Sequence, residues 1–355
     1  MSQQFFPIKV SQISKTTEEC SVLTFDVSEE LKEQFNYVQG QYLTLKTIID
    51  GEEVRRSYSL CSSPIDGEWK VAVKKIEDGR FSTFANDELQ VGDTLDVMPP
   101  NGRFFQEVDE TAEKEYVAFA AGSGITPVHS IIKTHLNREP KSTFKLFYLS
   151  KNVQSIILRE EIEALKNQFL GRFELYYFLT QEERDAPLFN GRFTEEKLAE
   201  IGAKIVDYKA IDDYFICGPT EMIFMIKDFL SANGIEKEKV HFELFNTPSD
   251  TKKKKVYETK NKDQSAVSII VNGVKTTFTM YQNGEKILDA ALRNNADLPF
   301  ACKGGVCCTC KAKLQEGNAP MEVNYALEDD EVEAGYILTC QAVPTSEKIL
   351  VDFDS

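Results

Sequence analysis

The chain has 355 residues, of which 42% are hydrophobic and 28% are charged, and its formal net charge at pH 7 is -16. This length supports two or three domains, each with its own core. The acidic balance disfavours nucleic acid and anionic membranes as partners, because phosphate groups are bound by clustered lysine and arginine side chains.

The N-terminal stretch MSQQFFPIKV has neither the basic segment nor the long apolar run of a secretory signal. The sequence also has no run of about 18 apolar residues that could cross a bilayer. We therefore expect a cytoplasmic protein with no membrane partner. Thiols stay reduced in the cytoplasm, so clustered cysteines are expected to be metal ligands or redox groups rather than disulfides.

Residues 5–105 contain short segments with two-residue periodicity, separated by Gly, Pro and Asp: SVLTFDV, GQYLTLKTII, RRSYSL, WKVAVKKI and TLDVMPP. In WKVAVKKI, Trp69, Val71 and Val73 share one face and Lys70 and Lys74 share the other, as in a half-buried antiparallel strand. Several such strands at close spacing predict a small antiparallel β-barrel domain over residues 1–108.

The next region alternates strand-like and helical segments. EYVAFAAG precedes TPVHSIIKTHL, TFKLFYLS precedes REEIEALKNQF, and RFELYYFLT is followed further on by DDYFICGP and TEMIFMIKDFLSANG. This alternation is typical of a parallel sheet covered by helices. It predicts an α/β domain over residues 114–247.

The polar run PSDTKKKKVYETKNKDQ, Pro248 to Gln264, marks a change in composition. It predicts an extended linker over residues 248–263, although the lysine tetrad leaves open a docking patch for an acidic partner. After it, SAVSIIVNGVKTTFTM predicts a hairpin that turns at Asn272 and Gly273, and EKILDAALRNN predicts a helix.

The stretch CKGGVCCTC contains four cysteines in nine residues. Three of them form the pattern C-x4-C-x2-C, and Cys340 follows after 29 further residues, which is the plant-type spacing for a [2Fe-2S] cluster. Zinc is the alternative, but zinc sites more often combine two C-x2-C pairs or one such pair with histidines. The expected ligands are Cys302, Cys307, Cys310 and Cys340.

Three residues next to these cysteines are expected to have other roles. Gly304 and Gly305 allow the loop to curl so that backbone N-H groups point at the sulfur atoms. Cys308 directly follows a ligand and is expected to be a small, partly packed residue. With these four matching cysteines, residues 264–355 resemble a plant-type ferredoxin domain, which implies an α+β β-grasp fold.

The stretch RRSYSL resembles the R-x-Y-S flavin motif of the ferredoxin-NADP reductase superfamily. The resemblance implies that Arg56 pairs with the FAD pyrophosphate, that Tyr58 packs on the isoalloxazine, and that Ser59 hydrogen-bonds near flavin N5. These residue types suit the ligand, because a planar ring packs on an aromatic wall and a diphosphate fits a guanidinium fork. By itself the stretch fits an ordinary strand equally well.

Two further segments stand where this superfamily has flavin contacts: GQY at Gly40 to Tyr42, and GRFST at Gly79 to Thr83, whose G-x-x-S resembles the pyrophosphate loop. The three motifs agree in order and spacing. The FAD-binding residues that the resemblance implies are Tyr42, Arg56, Ser57, Tyr58, Ser59, Val73, Lys74, Gly79, Phe81, Ser82 and Thr83.

The segment AAGSGITP follows a strand and begins a helix, so its glycines allow close approach of a phosphate to free N-H donors. Its partner ICGPTEM resembles the superfamily's C-G-P motif, although a buried small residue is the alternative for Cys217. The NADP-binding residues that the resemblance implies are Gly122, Ser123, Gly124, Thr126, Ser150, Lys151, Arg159, Cys217, Gly218, Pro219 and Met222.

Three residues are candidates for the catalytic site: Ser59, Cys217 near nicotinamide C4, and Glu243 in HFELF, the segment that ends this module in the superfamily. Phe245 remains an alternative to Glu243 at the nicotinamide face.

The coenzyme is expected to be NADPH rather than NADH. Ser150, Lys151 and Arg159 lie close to where the superfamily holds the adenosine ribose, and none is an acidic residue that would bind the 2′-hydroxyl. Lysine can bind a 2′-phosphate as a point charge, although the superfamily's usual arginine is absent at the Lys151 position. The alternative is that both cations only cover a solvated surface.

The order of the three modules resembles that of the reductase components of multicomponent oxygenases. The resemblance implies an NAD(P)H oxidoreductase that passes electrons from NADPH to FAD, to the [2Fe-2S] cluster and then to an oxygenase, here of aromatic, phenylacetyl-CoA catabolism. A different oxygenase, a hydroxylase or a fatty-acid desaturase system is the alternative acceptor. A non-enzymatic electron carrier, which would need only the cluster, and a zinc-stabilised interaction module are alternatives of other classes.

Overall fold

The computed structural model describes residues 4–245, 263–282 and 284–355. These residues form two compact units, of which one comprises Phe5–Phe245 and the other contains residues 263–355. Apart from Asp263, the predicted linker lies outside the described residues. The domain boundaries given above remain predictions.

The first sheet is antiparallel and has six strands in the order β4-β3-β6-β1-β2-β5. Leu60, directly after β4, forms a bridge with Val71 of β5, so the two edge strands meet and the sheet closes there. This confirms the predicted barrel. Its elements are β1 (Phe6–Thr17), β2 (Cys20–Asp26), β3 (Tyr42–Ile49), β4 (Glu52–Ser59), β5 (Trp69–Lys74), α1 (Arg80–Asp87) and β6 (Thr94–Asn101).

The barrel interior is filled by alternate residues of these strands. Trp69, Val71 and Val73 point into it as predicted, and the Trp69 indole N-H donates to the Phe35 carbonyl at 2.7 Å. Ala72, on the opposite face of β5, is also buried, because it packs against the neighbouring nucleotide domain.

The second sheet is parallel, with the order β11-β10-β7-β8-β9, and confirms the predicted α/β domain. Its strands are β7 (Glu115–Ala121), β8 (Thr143–Ser150), β9 (Phe173–Leu179), β10 (Asp213–Cys217) and β11 (Val240–Glu243). Its helices are α2 (Ile125–Arg138), α3 (Arg159–Gln168), α4 (Glu195–Lys204) and α5 (Thr220–Ala232).

The strand order of this sheet changes direction between β7 and β10, whose carboxyl ends lie side by side. In open α/β sheets such a switch point creates the crevice in which ligands bind. Helices α2 and α5 both begin at this edge, directly after β7 and β10. The fold therefore brings AAGSGITP and ICGPTEM together.

The third sheet belongs to the second unit and has the mixed order β13-β12-β16-β14-β15. The predicted hairpin is confirmed, because Asn272 and Gly273 have φ values of 50° and 72° between its two strands. The elements are β12 (Gln264–Val271), β13 (Val274–Tyr281), α6 (Ile287–Arg293), β14 (Lys311–Glu316), α7 (Asp329–Glu333), β15 (Tyr336–Leu338) and β16 (Lys348–Asp352).

The mixed sheet packs its apolar face against α6, which is the expected α+β arrangement. Across the described ranges, every helix is too short or too polar to span a bilayer.

Candidate active site and cluster centre

The flavin motif lies at the end of β4, where alternate residues face opposite sides. Tyr58 is half-buried and its ring lies 5.5 Å from that of Phe81, which is itself buried. Arg56 is exposed and lies on the same side of the strand as Tyr58, two residues away. The strand thus presents an aromatic ring and a guanidinium side by side, as the flavin interpretation requires.

The amino terminus of α1 lies beside this strand. Gly79 precedes the helix and has no side chain to cap its first N-H groups. A Cβ atom at Gly79 would lie 2.4 Å from both Ile76 Cγ1 and Ser82 Oγ, so only glycine fits this tight turn. Uncapped amides at a helix start, close to a guanidinium, suit a diphosphate. The residues present therefore fit the FAD pyrophosphate.

The other predicted FAD residues surround this region. Tyr42 is buried, and a Cβ atom at Gly102 would lie 3.1 Å from the Tyr42 ring. Ser57 Oγ lies 3.0 Å from Thr44 Oγ1. Val73 is buried in the barrel core, Lys74 is half-buried at the end of β5, and Thr83 N-H donates to Gly79 O at 2.8 Å.

The nucleotide turn after β7 packs tightly against the end of β10. A Cβ atom at Gly124 would lie 2.2 Å from the Cys217 carbonyl oxygen, and one at Gly218 would lie 2.9 Å from Ala121 Cβ. Gly122 has a φ of 52°, in the left-handed region that favours glycine. The close approach leaves the starts of α2 and α5 side by side, which suits an anionic dinucleotide.

The remaining residues of this turn support its shape. Thr126 Oγ1 donates to the Ser123 carbonyl at 3.0 Å, Pro219 precedes α5, and the buried Met222 lies under Gly218.

The three catalytic candidates meet at one place. Ser59 Oγ donates to Glu243 Oε2 at 2.9 Å, across 184 positions of sequence, and Cys217 pairs with Glu243 in the register of β10 and β11. Phe245 packs against the hydrophobic cluster that contains Cys217, and it does not share the hydrogen bond between Ser59 and Glu243. The geometry therefore favours Glu243 over Phe245 as the residue that faces Ser59.

The pKa values of Glu243 and Cys217 differ from the ordinary values of these side chains. Burial raises the pKa of the Glu243 carboxyl to about 7, and the hydrogen bond from Ser59 only partly opposes that rise. Burial also raises the pKa of the Cys217 thiol well above its ordinary value, with the Glu243 charge adding to the shift. Near neutral pH, Glu243 can therefore exchange a proton, whereas Cys217 stays a neutral thiol.

The predicted ribose-binding residues follow β8. Ser150 is buried at the strand end, and Lys151 is exposed beside it. Arg159 begins α3 and is also exposed, but its Nε donates to Glu163 Oε1 at 2.8 Å. Ser150 and Lys151 thus lie at the carboxyl edge of the sheet, and Arg159 is engaged by a carboxylate.

The four predicted cluster ligands form two pairs. Cys302 Sγ and Cys307 Sγ lie 3.1 Å apart, and the Cys310 and Cys340 thiols contact each other. In the part of the chain that the structure describes, no group of three or more His, Cys, Asp or Glu side chains is arranged to hold a metal ion. Two cysteine pairs fit a two-iron cluster, in which each iron takes two thiolates.

Backbone amides face the sulfur atoms as the sequence predicted. The Gly304 N-H donates to Cys302 Sγ at 3.3 Å, and the Gly305 N-H bonds to Cys340. Gly305 has a φ of 75°, and a Cβ atom there would lie 3.1 Å from Val323 O. The residues present thus fit a [2Fe-2S] cluster.

Two further residues complete this loop. Cys308 Sγ donates to Ala326 O at 3.2 Å and packs against the core of the unit, which agrees with its predicted packing role. The Gln341 amide, which the sequence did not single out, donates to Lys303 O at 3.1 Å and to Cys340 Sγ at 3.6 Å. Gln341 directly follows the predicted ligand Cys340 in the sequence, and this position could have indicated that it supports the ligand.

Comparison with known domain families gives three matches. An oxidoreductase FAD-binding domain matches residues 7–106, an oxidoreductase NAD-binding domain matches residues 119–228, and a 2Fe-2S iron-sulfur cluster binding domain matches residues 269–345. The matches have the same order along the chain as the three sheets.

Relatives and a solved structure extend the likeness over nearly the whole chain. The sequence is 42% identical to one of the subunits of 1,2-phenylacetyl-CoA epoxidase from Escherichia coli (strain K12), over 99% of this chain and 98% of that protein. It is 32% identical to the ferredoxin reductase component of 3-ketosteroid-9-alpha-monooxygenase from Rhodococcus rhodochrous, over 98% and 96% respectively. Phthalate dioxygenase reductase shares the fold, with a TM-score of 0.59 and 22% identity over 98% of each chain.

Proposed function

This chain belongs to the family of oxygenase reductase components that join FAD-binding, NAD-binding and [2Fe-2S] domains, and we propose that it prefers NADPH and supplies an oxygenase acting on phenylacetyl-CoA. The proposal of a phenylacetyl-CoA oxygenase as electron acceptor is supported by the 42% sequence identity to the epoxidase subunit, which exceeds the 32% identity to the ketosteroid monooxygenase component. When bound, FAD takes an electron pair from the nicotinamide and passes electrons singly to the cluster, which serves the oxygenase.

The residues around the flavin motif bind and orient the ring. The Tyr58 ring would form one wall of the flavin site, Arg56 and the amides at the start of α1 would hold the pyrophosphate, and Ser59 Oγ would contribute a hydroxyl beside the flavin. The buried barrel core beneath Phe81 keeps this wall in place.

Glu243 holds a proton for the site. Its carboxyl has a pKa of about 7, so it can take up or release a proton near neutral pH, and Ser59 Oγ is its direct hydrogen-bond partner. With FAD bound, the Ser59 hydroxyl would connect the Glu243 carboxyl to the flavin site. Cys217, a neutral buried thiol, shapes the adjoining nicotinamide pocket without ionising.

The preference for NADPH is supported by the cations after β8. Lys151 is free to approach a 2′-phosphate, and that phosphate would compete with Glu163 for Arg159. Neither Ser150 nor Lys151 offers the carboxylate that would favour the NADH ribose.

The cluster ligands are Cys302, Cys307, Cys310 and Cys340 in this proposal. The two-pair arrangement of their sulfur atoms and the amides that face them support the assignment. The eight cysteines form no disulfide in the described ranges, and the cytoplasm, where thiols stay reduced, is the proposed location.

The function is tested by adding NADPH anaerobically to the purified holoprotein and following the flavin and cluster absorption. Both bands should bleach, and the protein should then support turnover by a phenylacetyl-CoA oxygenase better than by a ketosteroid monooxygenase. Equal support of both oxygenases would contradict the proposed acceptor.

The ligand assignment is tested by single substitutions. Cys302→Ala, Cys307→Ala, Cys310→Ala and Cys340→Ala should each lose the cluster absorption and its bound iron, whereas Cys308→Ala is the matched control and should keep both. Loss in Cys308→Ala together with retention in Cys307→Ala would show that the register is wrong.

A further inference from the structure

One face of α2 binds the segment that follows the flavin motif. His129 Nδ1 lies 2.7 Å from the Cys61 carbonyl, and Ser130 Oγ donates to the Ser62 carbonyl at 2.6 Å. One turn further on, Thr134 Oγ1 lies 2.7 Å from Ser63 Oγ, and Lys133 Nζ lies 2.7 Å from Asp66 Oδ1. We call His129, Ser130, Lys133 and Thr134 the α2 clamp.

Three of the four α2 clamp side chains are shielded from solvent, and that of Lys133 is half-buried. His129 is 5% exposed, Ser130 is 0% exposed and Thr134 is 4% exposed, and residues 61–63 opposite them are equally buried. Side chains at these spacings share one face of a helix, so the contacts act together. A set of buried, satisfied hydrogen bonds fixes two elements more rigidly than surface contacts would.

The two partners of α2 carry the two halves of the redox site. Residues 61–66 begin two positions after Ser59. Gly124, directly before α2, is packed on Cys217, because a Cβ atom there would lie 2.2 Å from the Cys217 carbonyl oxygen. Helix α2 therefore forms one rigid connection between the segment beside the flavin edge and the strand end beside the nicotinamide.

The tautomer and charge of the His129 ring follow from its surroundings. A carbonyl oxygen only accepts, so Nδ1 carries the hydrogen and donates it to Cys61. Burial lowers the pKa of His129, so the ring is neutral, and Nε2 has no hydrogen-bond partner among the described residues. The ring thus has one polar contact, directed at the segment after Ser59.

We propose that His129 is a positioning residue, which sets the approach of the nicotinamide to the flavin edge by holding the Cys61 carbonyl against α2. The inference rests on the proposed function, because it concerns the geometry between the two bound cofactors. A displacement of about 1 Å between reacting groups can lower a rate by about 100-fold, so a contact two residues from Ser59 can affect the reaction without touching either cofactor.

The experiment compares three variants of the holoprotein. His129→Phe keeps a planar ring but removes the donor, His129→Asn keeps a donor near the position of Nδ1, and Ile132→Val is a matched control, since Ile132 is buried on the same helix and lies outside the α2 clamp. For each variant we would measure the unfolding temperature, the Kd of the nucleotide, the long-wavelength charge-transfer absorption of the nicotinamide-flavin complex, and the rate of flavin reduction.

The positioning role predicts that His129→Phe loses the charge-transfer band and slows flavin reduction by about tenfold or more, while the nucleotide Kd stays within about twofold. His129→Asn should restore most of the band. A purely structural role predicts instead that His129→Phe and Ile132→Val lower the unfolding temperature and leave the band intact, and this result would overturn the inference. Failure of the wild-type protein to bind FAD or to oxidise NADPH would instead contradict the proposed function.

Discussion

The two ends of the parallel sheet each hold a glutamate, fully buried at one end and half-buried at the other, with opposite consequences. At the amino end, Glu139 is fully buried, and its carboxylate accepts hydrogen bonds from His135 Nδ1 and Tyr116 Oη, both at 2.8 Å. At the carboxyl end, Glu243 accepts one from Ser59. The Glu139 carboxylate is therefore surrounded by hydrogen-bond donors, whereas the Glu243 carboxylate has a single donor.

The pKa values follow from this difference. Burial by itself raises the pKa of Glu139, but the hydrogen bond and charge of His135, together with Ser142 and Tyr116, outweigh it and lower the pKa to about 2. At Glu243 burial prevails and the pKa rises to about 7. A buried carboxylate with several donors stabilises the fold, whereas one with a single donor can exchange protons at neutral pH.

The largest expected effect is a loss of stability when Glu139, at the amino end of the parallel sheet, is substituted. Glu139→Gln leaves His135 and Tyr116 facing a neutral amide, and each buried hydrogen bond to a charged group contributes about 1.5–3 kcal/mol. Native-state hydrogen exchange of the β7 and β8 amides isolates this domain from the rest of the chain. The control is Glu163→Gln, which breaks the exposed pair with Arg159 and should cost about 1 kcal/mol or less. If both variants lost the same unfolding free energy, burial of Glu139 would not be the reason for its contribution to stability.

The pH dependence of stability should have opposite signs at the two ends. The Glu139 contribution is fully present above its unfolded pKa of 4.5 and is lost as the pH falls from 4.5 towards 2. The Glu243 contribution is fully present below 4.5 and is lost as the pH rises from 4.5 to about 7. Each shift corresponds to about 3 kcal/mol.

This pH prediction is measured as the difference in unfolding free energy between wild type and each Glu→Gln variant, from about pH 3 to pH 8. Relative to wild type, Glu243→Gln should gain stability on going from acid to neutral pH, whereas Glu139→Gln should lose it. Slopes of the same sign in both variants would show that the two carboxyls do not differ as described.

At the carboxyl end the main effect should be kinetic. Glu243→Gln removes the exchangeable proton beside Ser59 and should slow flavin reduction by about 100-fold, as loss of a general acid or base does. Stopped-flow absorption with NADPH measures this rate. Glu139→Gln, studied at a temperature where it remains folded, should reduce the flavin within about threefold of the wild-type rate. A Glu243→Gln protein with wild-type kinetics would exclude the proton-holding role.

The smallest expected effect concerns the exposed charges near the same end. Lys151→Ala and Arg159→Ala should each lower the ratio of kcat/KM for NADPH to that for NADH by about tenfold, since each removes a cation from the proposed 2′-phosphate site. Glu163→Gln releases Arg159 from its ion pair and should raise the ratio by up to about fivefold. This factor corresponds to the free energy of about 1 kcal/mol that a surface ion pair contributes at most. If all three variants leave the ratio unchanged, these residues do not recognise the phosphate.

The sequence predicted those features whose information is local. The Asn272-Gly273 turn and the cysteine spacing each depend on a few adjacent residues, and the structure has both. Helix α4 was not predicted, although Thr194 caps it by accepting from Lys197 N-H. The Thr-Glu-Glu pattern at the start of this helix, a capping residue followed by acidic residues, was an available signal.

By itself the sequence determined the three-domain order, the alternation of strands and helices and the set of cysteines, because backbone preferences and ligand spacing act over short distances along the chain. The tertiary structure alone decided that Ser59 faces Glu243, that Arg159 is engaged by Glu163 and that His129 holds Cys61. Two of these contacts join separate domains. Which donors surround a buried carboxylate, and therefore its pKa, depends on how sheets and helices pack, and no short stretch of sequence contains that information.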